Sequence, residues 1–351
     1  MYRGILDPLT APWNALGPRV VAVARYHERD GIGRYADQLA AAYADGREFV
    51  RVGIREGPGD WHRDFHRGLR ALWLLRDARR GDDVLVHYHP HYYLRGGTWS
   101  RAATYASFAV AASLREFTVV VHEPDPARGG VEGVVARRWW RTPRRLVFHS
   151  ERERDRHLER FGRGRRQELV VVAHGEFFTS RIAADRGEAR ARLGLPGDRA
   201  IVLMIGFLSG SDPDKGYDRA IAAVNAAADP QLELHIVGSP IREDAETEVL
   251  IADLRAAAAA SAQVTLHEQY VDDDAFDLWI RAADAVLTPY RSSSSSGVVA
   301  RAHLLGTPVI TSDVGGLVEQ AGPDDTVVHD DAELLAAVRR VAQARRSSSS
   351  R

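Results

Sequence analysis

Cysteine is absent from the 351 residues, which excludes disulfides, thiolate metal sites and cysteine nucleophiles. Lysine is almost absent as well: of 47 basic residues, 46 are arginines and the remaining one is Lys215. No apolar run reaches membrane-spanning length. The longest nearly apolar stretch, TYASFAVAASL at 104–114, is too short to cross a bilayer. The opening MYRGILDPLTAPWNALGPR lacks the apolar core of a secretory leader, so a cytoplasmic location is expected. Net charge is −1, and nothing resembles a nucleic-acid recognition module.

What is present reads as a globular chain, 45% hydrophobic and 27% charged, with a length that suggests two domains. Charge is unevenly spread. Residues 1–200 hold 35 arginines against 25 acids, whereas residues 201–351 hold 12 basic residues against 23 acidic ones. An anionic ligand bound by the second half therefore needs specific local donors.

Short apolar runs alternate with helical patterns, the signature of parallel sheets with crossover helices. In the first half, strands are predicted at 19–26, 49–54, 83–88, 117–122, 145–150 and 169–174. In the second they are predicted at 200–206, 232–238, 264–268, 285–290 and 308–313, with helices near 216–228, 243–262, 274–283, 297–305 and 331–346. The fold class is α/β, with two Rossmann-like doubly wound domains facing across a cleft. The expected division is a domain at 1–178, a linker at 179–195, a domain at 196–330, and a helix at 331–351 placed to pack back on the first domain. The tail RRSSSSR is low in complexity and expected to be disordered.

Within MIGFLSGSDPDKGYDRAIAAV a strand ends at Gly206, a polar loop follows, and Lys215-Gly216 precedes a helix. The spacing is not that of a Walker loop. An ammonium is a compact point charge where a guanidinium is a broad planar fork, so a lone lysine among arginines suits a phosphate held close to backbone. Later, TPYRSSSSSGVVARAHLLGTPVITSDVGGLVEQ places Ser295, Ser296 and Gly297 at a helix start with free N–H groups.

Together these two segments resemble the nucleotide-sugar half of GT-B fold glycosyltransferases, specifically retaining glycosyltransferase family 4. The matching residues are Lys215-Gly216, Pro289, Ala302, Gly306-Thr307-Pro308-Val309 and Gly315-Gly316. Three positions depart from the family pattern: its loop arginine falls on Phe207, and its two glutamates fall on Ser293 and Arg301. The resemblance implies transfer of a sugar from a nucleotide-diphosphate donor (UDP-, GDP- or dTDP-linked) to a hydroxyl acceptor such as a glycan, a lipid-linked sugar or a small metabolite. It also implies retention of configuration, with no prosthetic group and no metal. Gly206, Lys215, Gly216, Ser295, Ser296, Gly297 and Arg301 are then expected at the donor, with Arg301 or Arg291 approaching the phosphates in place of the charge missing at Phe207. The departures keep open a non-catalytic nucleotide-sugar binder or a sugar-nucleotide epimerase on the same fold.

In the first half, ARYHERDGIGRYADQ resembles the family's first strand and glycine-rich loop, with Gly31 and Gly33 at the cleft floor. His122, at the end of TVVVH, corresponds to a histidine that the family sets against the transferred sugar, making His122 and Lys215 the candidate catalytic pair. Glu123 and Asp125 follow in a loop expected near the acceptor, and His174 and Gly175 are expected to line the cleft.

Two metal readings are set aside. His87, His89 and His91 alternate, but Pro90 interrupts the strand that would aim them to one face. Asp272 to Asp274 precede a helix, where carboxylates cap N–H groups. Residues 137–166 hold 12 arginines against four acids around Trp139 and Trp140, leaving two readings open: a solvated helix face or a peripheral membrane contact.

Overall fold

The computed structural model describes residues 12–25, 31–53, 70–94, 96–126, 128–210, 214–240 and 244–349. The chain divides into two units, Met1–Phe177 and Phe178–Arg351.

The N-terminal unit is built on six parallel strands: β1 (Arg19–Ala24), β2 (Glu48–Gly53), β3 (Asp83–Tyr88), β4 (Glu116–Val121), β5 (Arg145–Phe148) and β6 (Glu168–Val171). They lie in the order β2-β1-β3-β4-β5-β6. Strands β1, β3 and β4 are buried over five consecutive residues, as helices on both faces demand, while the edge strands β2 and β6 stay partly open. Helices α1 (Gly31–Ala42), α2 (Leu74–Asp77), α3 (Pro90–Tyr93), α4 (Thr98–Leu114), α5 (Gly130–Trp140) and α6 (Glu151–Phe161) complete the unit.

Trp139 and Trp140 are fully buried, so neither of these rings is placed to touch a membrane surface. The Trp139 ring packs 4.7 Å from Phe108 of α4, and Trp140 Nε1 donates to Asp125 Oδ2 at 2.8 Å. Tyr105 Oη donates to the same oxygen at 2.5 Å. Asp125 is thus a buried tether between α4 and α5 rather than an acceptor contact, and its burial raises its pKa.

The C-terminal unit holds α7 (Arg186–Leu193), β7 (Ala200–Ile205), α8 (Tyr217–Ala227), β8 (Leu232–Gly238), α9 (Ala245–Ala260), β9 (Val264–Glu268), α10 (Asp273–Ala282), β10 (Ala285–Thr288), α11 (Gly297–Leu304), β11 (Val309–Ser312), α12 (Leu317–Gln320), β12 (Thr326–Val328) and α13 (Asp331–Ser349). Its strands are parallel in the order β12-β11-β10-β7-β8-β9.

Two boundaries shift. The segment expected as linker includes α7, whose buried Arg190 donates to the Ala282 carbonyl at 2.9 Å and to Asp284 Oδ2 at 2.8 Å. That half of the linker belongs to the C-terminal unit. Helix α13 belongs there too: Leu334, Ala337, Val338 and Ala342 are buried in one cluster with Ala220 and Val224 of α8. The helix continues to Ser349, so most of the serine tail predicted as disordered is helical.

Candidate functional site

In the C-terminal sheet, β7 sits between β8 and β10, and chain order runs outward from it in both directions. Parallel sheets of this order bind ligands at the carboxyl ends of the two strands flanking that reversal. The segments leaving β7 and β10 carry Gly206, Lys215 and Gly216 on one side and Pro289 to Gly297 on the other.

These segments converge on one backbone atom. Gly206 has φ +130°, a region L side chains rarely adopt, and a Cβ built there stands 3.3 Å from Lys215 Nζ and 3.9 Å from Val298 Cγ2. Lys215 and the first turn of α11 are therefore both neighbours of the end of β7. Lys215 Nζ donates to the Phe207 carbonyl at 2.5 Å, and Tyr217 Oη donates to the same oxygen at 3.4 Å. Burial lowers the Lys215 pKa from 10.5 to about 8, leaving it mostly protonated at neutral pH. Among the described residues this ammonium forms no ion pair.

The surrounding arginines differ in this respect. Arg291 binds Asp214 and Asp218, and Arg219 binds Asp331. Arg301 corrects the sequence reading: its Nε and Nη2 donate to the two carboxylate oxygens of Asp277 at 2.6 and 2.9 Å. Asp277 is 1% exposed. The Arg301 guanidinium is committed to balancing that buried charge and is not directed at a phosphate.

The Lys215-Gly216 turn is fixed to the loop after β10. Gly216 has φ +64°, and a Cβ there would meet the Pro289 carbonyl oxygen at 2.2 Å, so only glycine lets the two backbones approach. The Arg291 N–H donates to the Asp214 carbonyl at 2.9 Å, and the Asp214 N–H donates to Ser292 Oγ at 3.0 Å. Farther on, the Gly316 N–H donates to the Ser294 carbonyl at 2.8 Å and the Ser296 N–H to Gln320 Oε1 at 2.8 Å. Ser296 is the N-cap of α11, its hydroxyl accepting from the Val299 N–H at 3.4 Å. Ser295 accepts from Ser293 Oγ through its own carbonyl at 3.1 Å. The N–H groups of Gly297 and Val298 come too early in α11 to have an intrahelical acceptor.

In the N-terminal unit, Gly31 and Gly33 open α1, and residues 26–30 of the preceding loop lie outside the described residues. His122, 9% exposed, is one of four histidines around the ring of Tyr35. His87, His122, His149 and His174 lie 5.7, 4.8, 5.4 and 5.2 Å from that ring between centroids. His87 Nδ1 is 3.1 Å from His122 Nε2. Burial and neighbouring imidazoles lower the pKa of His87 to about 3 and that of His122 well below the ordinary value. His89 and His91 are elsewhere: His89 caps the turn that Pro90 begins, accepting from the His91 N–H at 3.3 Å. Asp272 caps α10, accepting from the Ala275 N–H at 2.8 Å.

The sequence reading took His122 and His174 separately and missed His149. A signal was available, because four consecutive strand predictions of the first half each end in or next to a histidine: VHY, VVH, FHS and VAH.

Residues 199–344 match the family described as Glycosyl transferases group 1. A D-inositol 3-phosphate glycosyltransferase of Rhodococcus jostii is 30% identical over 257 residues, covering 70% of this chain and 55% of that protein. The homologous enzyme of Streptomyces bingchenggensis is 29% identical over 270 residues, covering 72% and 56%. The chain thus spans little more than half the length of these relatives. Among solved structures, a sucrose-phosphate synthase of Thermosynechococcus elongatus superposes with a TM-score of 0.67 at 17% identity, covering 94% of this chain and 90% of that one. Anabaena HepE in complex with UDP-glucose superposes with a TM-score of 0.66 at 13% identity, covering 92% and 89%. Among the described residues, no helix is long and apolar enough to cross a membrane.

Proposed function

We propose, from the premise that the C-terminal unit is a group 1 glycosyltransferase domain on a chain with the GT-B fold, that the protein transfers a sugar from a nucleotide diphosphate to an acceptor hydroxyl. The observation that carries this reading is the convergence of Lys215 Nζ and the first turn of α11 on Gly206. A diphosphate there meets an ammonium that no carboxylate among the described residues neutralises, and the N–H groups that open α11 at Gly297 and Val298.

Breaking the bond between the anomeric carbon and the diphosphate puts negative charge on the leaving oxygen. Donors already aimed at that oxygen lower the barrier most, and Lys215 with the α11 N-terminus is such a set. The acceptor hydroxyl attacks the anomeric carbon on the face the diphosphate leaves, and its proton passes to the departing phosphate oxygen. Configuration is retained and no protein nucleophile is needed. The phosphate charge is met by protein donors, so the transfer is read as independent of a divalent metal.

The solved neighbours holding UDP and UDP-glucose favour a UDP-hexose among the candidate donors. Relatives named for D-inositol 3-phosphate favour a small phosphorylated polyol as acceptor. Serine and a paired arginine at the family's glutamate positions support a rival reading, a nucleotide-sugar binder without turnover. Purified protein incubated with UDP-, GDP- and dTDP-hexoses separates the two. Release of nucleoside diphosphate without added magnesium or manganese is expected, with the product anomer matching the donor by NMR. Binding of a donor without release from any of them supports the rival.

A further inference from the structure

The neighbouring parallel strands β3, β4, β5 and β6 bring His87, His122, His149 and His174 side by side near their carboxyl ends. Three of these, His122, His149 and His174, hold one ring nitrogen each within 4.8 Å of the others. The tautomer of His149 is fixed by its partner. Its Nδ1 lies 3.2 Å from the Val172 carbonyl oxygen, which only accepts, so Nδ1 carries the proton and Nε2 presents a lone pair. Among the described residues that Nε2 is buried without a hydrogen-bond partner, on a residue 3% exposed.

A buried acceptor left unpaired is costly, and an imidazole held through its far N–H by a backbone carbonyl is how metal-binding histidines are aimed. His122 Nε2 lies 3.1 Å from His87 Nδ1.

We propose that His122, His149 and His174 bind one divalent transition-metal ion of the zinc type, which ties together the carboxyl ends of β4, β5 and β6. Three imidazoles without a carboxylate suit zinc rather than magnesium or calcium, which take oxygen ligands. Zinc–nitrogen bonds of about 2.0–2.1 Å require the rings to draw in by roughly 1 Å, and water fills the fourth position. With Nε2 of His122 facing His87, Nδ1 is the nitrogen left to ligate the ion. The inference rests on the N-terminal unit alone and is independent of the transfer reading.

The test is metal retention by the full chain. Purified protein is incubated with zinc or magnesium, desalted, and its metal content measured. One zinc per chain and no magnesium is expected for the unaltered protein, with visible d–d bands of a tetrahedral site when cobalt replaces zinc. His149→Ala and His174→Gln should lose stoichiometric zinc, with folding checked by far-UV circular dichroism. A double variant, His89→Ala with His91→Ala, should keep it. Failure of the unaltered protein to retain zinc overturns the proposal, as does undiminished retention by both ligand variants or loss in the His89/His91 control. If neither ligand variant folds, the cobalt spectrum of the unaltered protein decides: tetrahedral bands support the site and their absence overturns it.

Discussion

Lys215 Nζ donates to the Phe207 carbonyl oxygen at 2.5 Å. The backbone of that residue holds the only lysine of the chain against the end of β7, beside a helix start.

The shape of that cation should matter as much as its sign. Lys215→Arg keeps the charge but replaces a compact group with a planar fork beside Gly206, where even an added Cβ would stand 3.3 Å from the amine. Turnover is expected to fall by roughly 100-fold or more, the usual cost of losing one preorganised donor, with the melting temperature little changed. Steady-state kinetics with the identified donor check this; a normal rate would mean that charge alone suffices.

Gly206→Ala places a methyl group against the same amine at a backbone angle of +130°. The amine can swing away, but the backbone strain remains, at a cost of about 1–3 kcal/mol. Weaker nucleotide binding together with a lower urea midpoint is expected. A variant as stable and as tight as the parent would place Lys215 elsewhere in solution.

Arg301 and Asp277 form a buried pair, so removing one partner strands the other. Arg301→Ala should destabilise the protein by about 3–5 kcal/mol, while the fraction still folded binds nucleotide normally. Chemical denaturation and a binding titration on the same sample separate the two effects. Loss of affinity without loss of stability would return Arg301 to the phosphates.

His157 packs against Trp140, Phe148 and Phe161 at ring distances of 4.9, 5.1 and 5.0 Å, and burial lowers its pKa from 6.5 to about 3. Between those values the unfolded chain binds the extra proton and the folded chain does not. Stability therefore falls as pH drops below 6.5. Urea midpoints measured from pH 7.5 to 4.5 should decrease, and His157→Phe should make the decrease shallower by an amount on the order of 1–3 kcal/mol at the acid end. Identical slopes would contradict a buried, neutral His157.

Much of the architecture is readable from the chain because its strands are buried on both faces and so appear as apolar runs. β3, β8 and β9 fall on the predicted residues, and the other predicted strands differ by one to three residues at an end. β12 escapes because three residues, Thr326–Val328, carry no periodicity. Lys215 is conspicuous because it is the one lysine among 47 basic residues. The partner of Arg301 is not readable, since Asp277 lies 24 positions away on another helix. The histidine cluster is readable only when the strand ends are compared with one another: each ring sits alone in its own segment, and the parallel alignment of the strands brings them together. The tryptophans among arginines mislead because helix α5 turns its aromatic face inward and its charges outward.

The central claim is that Lys215 grips a diphosphate at the end of β7, and equilibrium titration of UDP into the parent protein and Lys215→Met tests it most directly. The methionine keeps the bulk and removes the charge. Affinity is expected to fall about 10- to 100-fold, the worth of a charged hydrogen bond, and the parent's own affinity should decline as pH rises past about 8, where Lys215 loses its proton. Equal affinity of the two proteins at pH 7 would contradict the claim.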